Sequence, residues 1–512
     1  MADFVESFAA SKPDAPALID GDRVLTWAAF AARRDLIAAA LRGIGIAPGD
    51  AVGVYEVNSA EYFVILSAVQ RAGATAVQIN WRLTADELSY VLDNSEAVAV
   101  FVNESYLPIV DDIVEGSSVK QWIVIGDDRR PWARQLEELI AEAPTSLPVE
   151  TTEPLGGTMI YTGGTTGRPK GVRRAAFSPD ALDPGFAEAI AAFLHVMRLD
   201  LPHTHLVTAA LYHQGPIGYS TLALTNGGTV VIMRKFDPED ALRLIQEHRC
   251  TSTFMPPVVA KRVVGLPEEV RRQYDTSSLE VFVVTAGPVP QKLKEDILDA
   301  FGPVYYEAYS STETALCATA LTPADVRDRP GSCGRVIAGA AFSIRDESGN
   351  PLPVGERGLI CCPNLRGTFN GYHNDPVLSQ EVFLKDWLTV GDIGYMDEDG
   401  FLYIVDRARD MIISGGTNIY SAEIENVLHE HPALQDVAVF GVPDEDWDER
   451  VHVAVQLKPG QTITLEELQA FARQRLAGYK IPRELSVHVD FPRDAAGKLA
   501  KAGLRAPYWP SV

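Results

Sequence analysis

Short apolar runs alternate with helix-period segments through the first three hundred residues, and this alternation constrains the fold more than any other feature. Ala51 to Tyr55 is apolar, Ser59 to Arg71 sets Phe63, Val64, Leu66, Val69 and Gln70 at helical spacing, and Ala74 to Gln78 is strand-like again. The pattern recurs through Thr229 to Met233, Pro238 to His248 and Ser252 to Met255, then through Val281 to Thr285 and Gln291 to Phe301. Strands joined by helices run parallel, so the class is α/β, with a large domain of mixed, largely parallel sheets covered by helices. A chain of 512 residues is too long for one core. After about Asp406 the pattern changes: Ser421 to His429 reads as a helix, and Asp436 to Phe440 and Val451 to Leu457 read as strands. Thr464 and Glu467 form a capping box for a helix with Leu465, Leu468, Phe471, Ala472 and Leu476 on one face. The expected division is therefore 1–406 and 407–512, the second part a small α+β domain.

The net charge of −24 argues against binding nucleic acid or an anionic membrane surface. No apolar run approaches the length that spans a membrane, and the first residues lack the basic and apolar regions of a secretory signal. The five cysteines form no CxxC pair and no metal spacing with histidine, which fits reduced thiols in the cytoplasm.

The stretch from Tyr161 to Gly171, YTGGTTGRPKG, follows the strand-like run Gly157 to Ile160 and is suited to holding a polyphosphate. Gly163, Gly164 and Gly167 let backbone N–H groups approach an anion, Thr162, Thr165 and Thr166 add hydroxyl donors, and Lys170 adds a full charge. It is not a Walker loop, because Pro169 separates Gly167 and Arg168 from Lys170 and no Gly-Lys-Ser/Thr opens a helix. Further along, EAYSSTE at Glu307 to Glu313 offers Thr312 and Glu313 as oxygen ligands for a hard cation and Tyr309 as a stacking surface for a base; alone, the string reads first as a capped helix start. GDIGY contains Asp392, a suitable acceptor for ribose hydroxyls, and DRARD contains Arg407 as a donor to the same sugar. Gly415 and Gly416 permit a close backbone approach or simply make a turn, and PRDAAGKLAK carries Lys498 late in the chain, where a lone lysine is ordinarily a solvated one.

In order and spacing, YTGGTTGRPKG, YSSTE, GDIGY, DRARD, SGGTNIYSAEIE and PRDAAGKLAK resemble the adenylate-forming superfamily of acyl-CoA synthetases, nonribosomal-peptide adenylation domains and luciferases. The resemblance spans nearly the whole chain and is closest to AMP-forming acyl-CoA synthetases. It implies activation of a carboxylate by ATP and Mg²⁺ to an acyl-adenylate, followed by rotation of the C-terminal domain and transfer of the acyl group to CoA. Carried over residue by residue, Thr162, Gly163, Gly164, Thr165, Thr166, Gly167 and Lys170 would hold the phosphates. Ala286, Gly287, Glu307, Ala308 and Tyr309 would border the adenine, and Asp392 and Arg407 would bind the ribose. Glu313 would hold Mg²⁺ with Thr312 beside the phosphate, Lys498 would be the catalytic cation, Arg409 the hinge, and Gly415 and Gly416 would line the path of CoA. The chain departs from the family pattern at Gly163, where serine is frequent, Ser310 and Asp448, where glycine is usual, and Ser421, where proline is common.

By the same resemblance, LYHQGPIGY places His213 at the carboxylate end of the acyl site. As a lone histidine it reads equally as a satisfied core residue. Tyr212, Ile217, Gly218, Val283, Pro288, Ser310 and Ala315 suggest an apolar pocket, and no acid between Val207 and Thr221 is present to pair with an ammonium group. The substrate expected is a hydrophobic monocarboxylic acid. Two alternatives stand beside the CoA ligase: an amide synthetase giving the same adenylate to an amine, and a non-catalytic nucleotide-binding relative. Homodimers are common in the family, and no feature here demands one.

Overall fold

The computed structural model describes residues 3–143, 155–162, 169–174, 184–287, 289–314, 319–337, 342–364, 369, 371–408, 410–415, 417–444, 446–493 and 499–509. Its contacts divide the chain into two compact units, Met1–Pro330 with Val336–Ala341 and Asn364–Glu381, and Gly331–Arg335 with Phe342–Pro363 and Val382–Val512. The division is not a single cut near residue 406. The reason is local: the Asp392–Met396 and Leu402–Arg407 strands form an antiparallel hairpin, and the first of them also pairs with Gly358–Pro363. The residues just before 407 thus belong to an antiparallel sheet of the second unit.

The first unit contains two seven-stranded sheets. One runs Arg134–Gln135, Gln121–Ile125, Ala97–Asn103, Ala51–Tyr55, Thr75–Gln78, Thr158–Thr162, Lys170–Arg174, and only the last pairing is antiparallel. The other runs Tyr305–Glu307, Val281–Val284, Ser252–Met255, Thr204–Val207, Thr229–Ile232, Pro16–Asp20, Arg23–Thr26, again parallel up to its final strand. The expected alternation is present, with the 59–71 helix observed at Ala60–Arg71 behind the cap Ser59, whose hydroxyl accepts from Tyr62 N–H at 3.1 Å. That helix is buried over most of its circumference because apolar residues of both sheets close around it: Val54, Ala76 and Phe101 of one and Leu18, Val207 and Val230 of the other share its core.

Polar anchors fix the chain at that junction. Asn58 donates to Ala209 O at 2.9 Å and accepts from Leu211 N–H at 2.9 Å, so its carboxamide sets the backbone that leads into His213. Asp20 accepts from Ala60 N–H at 3.0 Å and pairs with Arg234 at 2.7 Å. Glu56 is only 1% exposed; burial pushes its carboxyl up to about 7, against the opposing hydrogen bonds from Asn103 and Ser59. A raised acid binds its proton in the folded state over a range where the unfolded chain has lost it, so this contribution to stability is full below the ordinary glutamate range and disappears as pH rises through 7. Glu56→Gln should therefore abolish a pH-dependent loss on the order of 3 kcal/mol between pH 4.5 and 7. Denaturant melts of both proteins across that window check it; parallel pH profiles would count against it.

Two larger sheets lie among the described residues of the second unit. The antiparallel one orders Phe383–Leu384, Trp387–Leu388, Gly358–Pro363, Asp392–Met396 and Leu402–Arg407, with Ser343–Arg345 also on Gly358–Pro363. The other orders Thr417–Ile419, Ile412–Ser414, Asp448–Leu457 and Leu434–Asp444, and Glu484–His488 joins parallel to Asp448–Leu457. The latter has its own core of Ile412, Ile424, Val439, Val453 and Leu468, and the capping box at Thr464 and Glu467 is formed. The hairpin strands are longer than the expected 436–440 and 451–457, because cross-strand pairing continues through Pro443↔Glu449 to Asp444↔Asp448. Asp448 closes that turn at φ +66°, a left-handed conformation for which glycine is the easy residue and aspartate a tolerated one.

Candidate nucleotide and acyl site

Two adjacent parallel strands of the first unit end together. Val281–Val284 and Tyr305–Glu307 pair in register, Val284 opposite Glu307, so Ala286 and Gly287 emerge beside Ala308 and Tyr309 at the carboxyl ends of the strands. Ligands of open α/β sheets bind beyond those ends. Thr285 ties the two segments by donating to Ala308 O at 2.6 Å, and Ala286 sits at φ +74°, an uncommon conformation for a residue with a Cβ. Glu307 is placed differently from its neighbours: its carboxylate pairs with Lys294 at 2.5 Å and accepts from the Tyr305 hydroxyl at 2.7 Å inside the core. The Glu307 side chain is thus turned into the core, while Tyr309 is half-buried beyond the strand end.

The stretch expected to hold phosphates follows one of two antiparallel strands, Thr158–Thr162 and Lys170–Arg174, with Thr162 opposite Lys170. Gly163, Gly164, Thr165, Thr166 and Gly167 lie outside the described residues. The hairpin is anchored by Tyr161, whose hydroxyl donates to Asn94 Oδ1 at 2.7 Å. Residues 311–314 make a reciprocal turn, Ser311 N–H to Thr314 Oγ1 at 2.9 Å and Thr314 N–H to Ser311 Oγ at 3.1 Å, the hydrogen bonds of a capping turn. That turn presents Thr312 and Glu313, while Ser310 is exposed. Arg174 donates to the Thr312 carbonyl; burial pulls its guanidinium down to about 10 against the attraction of Glu313, and it is a cation at neutral pH. Glu313 is 8% exposed and accepts at 2.7 Å from the hydroxyl of Tyr372, a residue absent from the sequence expectations. One carboxylate with neighbouring hydroxyl oxygens suits Mg²⁺, which takes its remaining ligands from water and substrate phosphates; no cage of three or more protein ligands is present among the described residues.

At the acyl end, His213 precedes the Gln214–Thr225 helix and lies half-buried with its ring 4.3 Å from that of Tyr212, which in turn meets Trp81 edge-on at 4.7 Å. Ile217 is buried and Gly218 half-buried on the same helix, and Val283 is buried with Ala308 in a cluster around Phe254. Pro288 and Ala315 lie outside the described residues. Sequence reading missed Tyr219, which stacks on Phe254 at 5.2 Å. The spacing was available, since Gly215, Tyr219 and Leu222 recur on one helical face; the contact was not, and in the structure a Cβ on Gly215 would stand 2.6 Å from the Phe254 ring.

On the second unit, Asp392 and Arg407 are direct cross-strand partners, with Arg407 Nε 3.0 Å from Asp392 Oδ1. Asp392 is buried and Arg407 partly exposed, so the arginine holds the carboxylate in one orientation at the surface. Gly415 has φ +54° and donates to Trp447 O at 2.7 Å; a Cβ there would be 2.5 Å from the Trp447 ring. Trp447 is 47% exposed and carries the Arg483 guanidinium 5.6 Å from its ring centroid. Arg409, Gly416 and Lys498 lie outside the described residues.

Comparison with known proteins places the chain in a family. Residues 5–373 match the family model of the AMP-binding enzymes, and residues 423–498 that of the AMP-binding enzyme C-terminal domain. A feruloyl-CoA synthase of Amycolatopsis sp is 33% identical over 96% of this chain and 96% of its own. The fatty acid–[acyl-carrier-protein] ligase ScoC of Streptomyces coeruleorubidus is 31% identical over 97% of this chain and 94% of its own. Among solved structures, the amide bond synthetase McbA from Marinactinospora thermotolerans superposes with a TM-score of 0.85 at 28% identity, covering 99% of both chains. With family models matched over residues 5–373 and 423–498, the chain belongs to the AMP-binding enzymes, the adenylate-forming superfamily that its motifs resemble.

Proposed function

We propose that this enzyme activates a hydrophobic monocarboxylic acid with ATP and passes the acyl group to CoA, releasing pyrophosphate and then AMP. In the first half-reaction a carboxylate oxygen bonds to the α-phosphorus and the bond to the bridging oxygen of pyrophosphate breaks. Thr162, the glycine and threonine donors of residues 163–167 and Lys170 hold the phosphates, Tyr309 and the 286–287 backbone border the adenine, and Asp392 with Arg407 takes the ribose. Mg²⁺, held by Glu313 beside Thr312, would neutralise phosphate charge. Lys498 meets the charge growing at the α-phosphorus, and His213 stands at the carboxylate end of a wall made by Tyr212, Ile217 and Val283. Residues 407–512 are the moving part, with the hinge at Arg409. The buried free thiols of Cys250, Cys333, Cys361 and Cys362 fit a reducing cytoplasm, and among the described residues no helix is long and apolar enough to cross a membrane.

The observation that favours CoA over a small amine is the exposed Trp447 ring packed on Gly415 with Arg483 beside it. A purine can stack on such a ring and a phosphate can meet the arginine, whereas a simple amine uses neither. Trp447→Ala should raise KM for CoA about tenfold, the equivalent of one lost stacking contact of 1–3 kcal/mol, while the adenylation rate stays within about twofold of the parent. Steady-state kinetics in CoA with pyrophosphate release measured separately distinguish the two; an unchanged KM for CoA would remove this support. The structural likeness to an amide bond synthetase keeps the amine reading as the second one.

A further inference from the structure

We propose that Tyr372 is a positioning residue of the phosphate corner, orienting Glu313 through its hydroxyl and backing Lys170 with its ring. This rests on the reading of Glu313 as the Mg²⁺ carboxylate. The segment carrying Tyr372 returns to the first unit, although the stretches before and after it belong to the second. It is fastened there at several points. Tyr372 forms an antiparallel bridge with Val172, His373 N–H donates to Gly171 O at 2.8 Å, and the Asn374 amide donates to Asn94 O at 3.1 Å. On its other side, Tyr372 N–H donates to Ser379 Oγ at 2.8 Å. The backbone of Tyr372 is thus locked to the strand that begins with Lys170.

From that fixed position the side chain reaches two groups. Its hydroxyl donates to Glu313 Oε1 at 2.7 Å, and its ring lies 5.1 Å from Lys170 Nζ. Both contacts favour a single arrangement of charges. The hydrogen bond engages Oε1 of the carboxylate and so fixes the orientation of the whole group. The ring faces the ammonium and holds it without neutralising its charge. Lys170 and Tyr372 also line a cavity of 310 Å³, together with Tyr90, Asn94 and His373. Hydrogen-bond partners of metal ligands typically contribute 10–100-fold to metal affinity.

Three variants test this. Tyr372→Phe keeps the ring and removes the donor, Tyr372→Leu removes both, and Glu313→Gln tests the underlying assignment. Manganese binding to each full-length protein in the presence of a non-hydrolysable ATP analogue is read by electron paramagnetic resonance, and analogue binding without divalent metal by calorimetry. The expected result is manganese affinity about tenfold weaker in Tyr372→Phe and in Glu313→Gln. Metal-free nucleotide affinity should be unchanged in Tyr372→Phe and about threefold weaker in Tyr372→Leu. Weakening in Glu313→Gln with none in Tyr372→Phe overturns the role of Tyr372 and leaves the metal assignment standing. No change in Glu313→Gln overturns the assignment itself, and with it the inference. Equal metal-free nucleotide affinity in Tyr372→Leu and the parent overturns the role of the ring.

Discussion

Lys498→Ala is expected to slow acyl-adenylate formation about 10²- to 10³-fold and to leave thioester formation from a supplied acyl-adenylate close to the parent rate. A preorganised cation at a phosphorus that gains negative charge only in the transition state is worth about 3 to 4 kcal/mol. Because the charge is absent from bound ATP, the loss belongs in kcat, with KM for ATP little altered. The second half-reaction breaks the bond between acyl carbon and phosphate oxygen and forms one to sulfur, so it makes no use of a cation placed for attack at the α-phosphorus. Pyrophosphate release measures the first step, and acyl-CoA formed from synthetic adenylate the second. Adenylation at the parent rate in the variant would refute the assignment.

Lys501→Met is expected to destabilise the second unit by about 3–5 kcal/mol. Lys501 Nζ lies 2.7 Å from Glu425 Oε1 and donates to Ser421 Oγ at 2.8 Å, and Ser421 donates in turn to Asp406 from both its N–H and its hydroxyl. Burial lifts the carboxyls of Glu425 and Asp406 above the usual range even with Lys501 present. Burial also acts to lower the Lys501 ammonium, but Glu425, Asp410 and Asp406 outweigh it and hold that group above its ordinary value. Removing the cation leaves two buried carboxylates uncompensated. Their titration moves further up, and the folded state then holds protons that the unfolded chain releases, so the penalty should be larger at pH 8 than at pH 5.5. Adding Glu425→Gln to Lys501→Met should recover part of the loss, because the two act as neighbours. Midpoints of denaturant unfolding at the two pH values check this; a shift below about 0.5 kcal/mol for Lys501→Met would mean the cluster is worth no more than a surface pair.

The parallel half of the fold was legible because each βαβ unit repeats a long, periodic signal. The antiparallel sheet of the second unit was not, because strands such as Phe383–Leu384 and Trp387–Leu388 are too short to show alternation and are defined by their partners. The same cause shortened the expected 436–440 strand: Pro443 reads as a breaker, yet register with Glu449 carries the hairpin past it. Motifs named Asp392 and Arg407 individually, but their cross-strand pairing depends on a register that the sequence does not print. Glu307 stands inside a recognised string, and nothing in that string discloses that its side chain turns inward to Lys294. Tyr372 and Lys501 were invisible for a related reason, since each acts through a residue distant in sequence, Glu313 in one case and Glu425 in the other.

The most direct test of the account is mass spectrometry of the purified protein incubated with magnesium, ATP and a pool of hydrophobic carboxylic acids, with CoA, with a pool of amines, and with neither. The expected result is one acid converted to its acyl-adenylate in the absence of acceptor and to acyl-CoA and AMP when CoA is present. An adenylate that persists with CoA and is consumed by amines would contradict it.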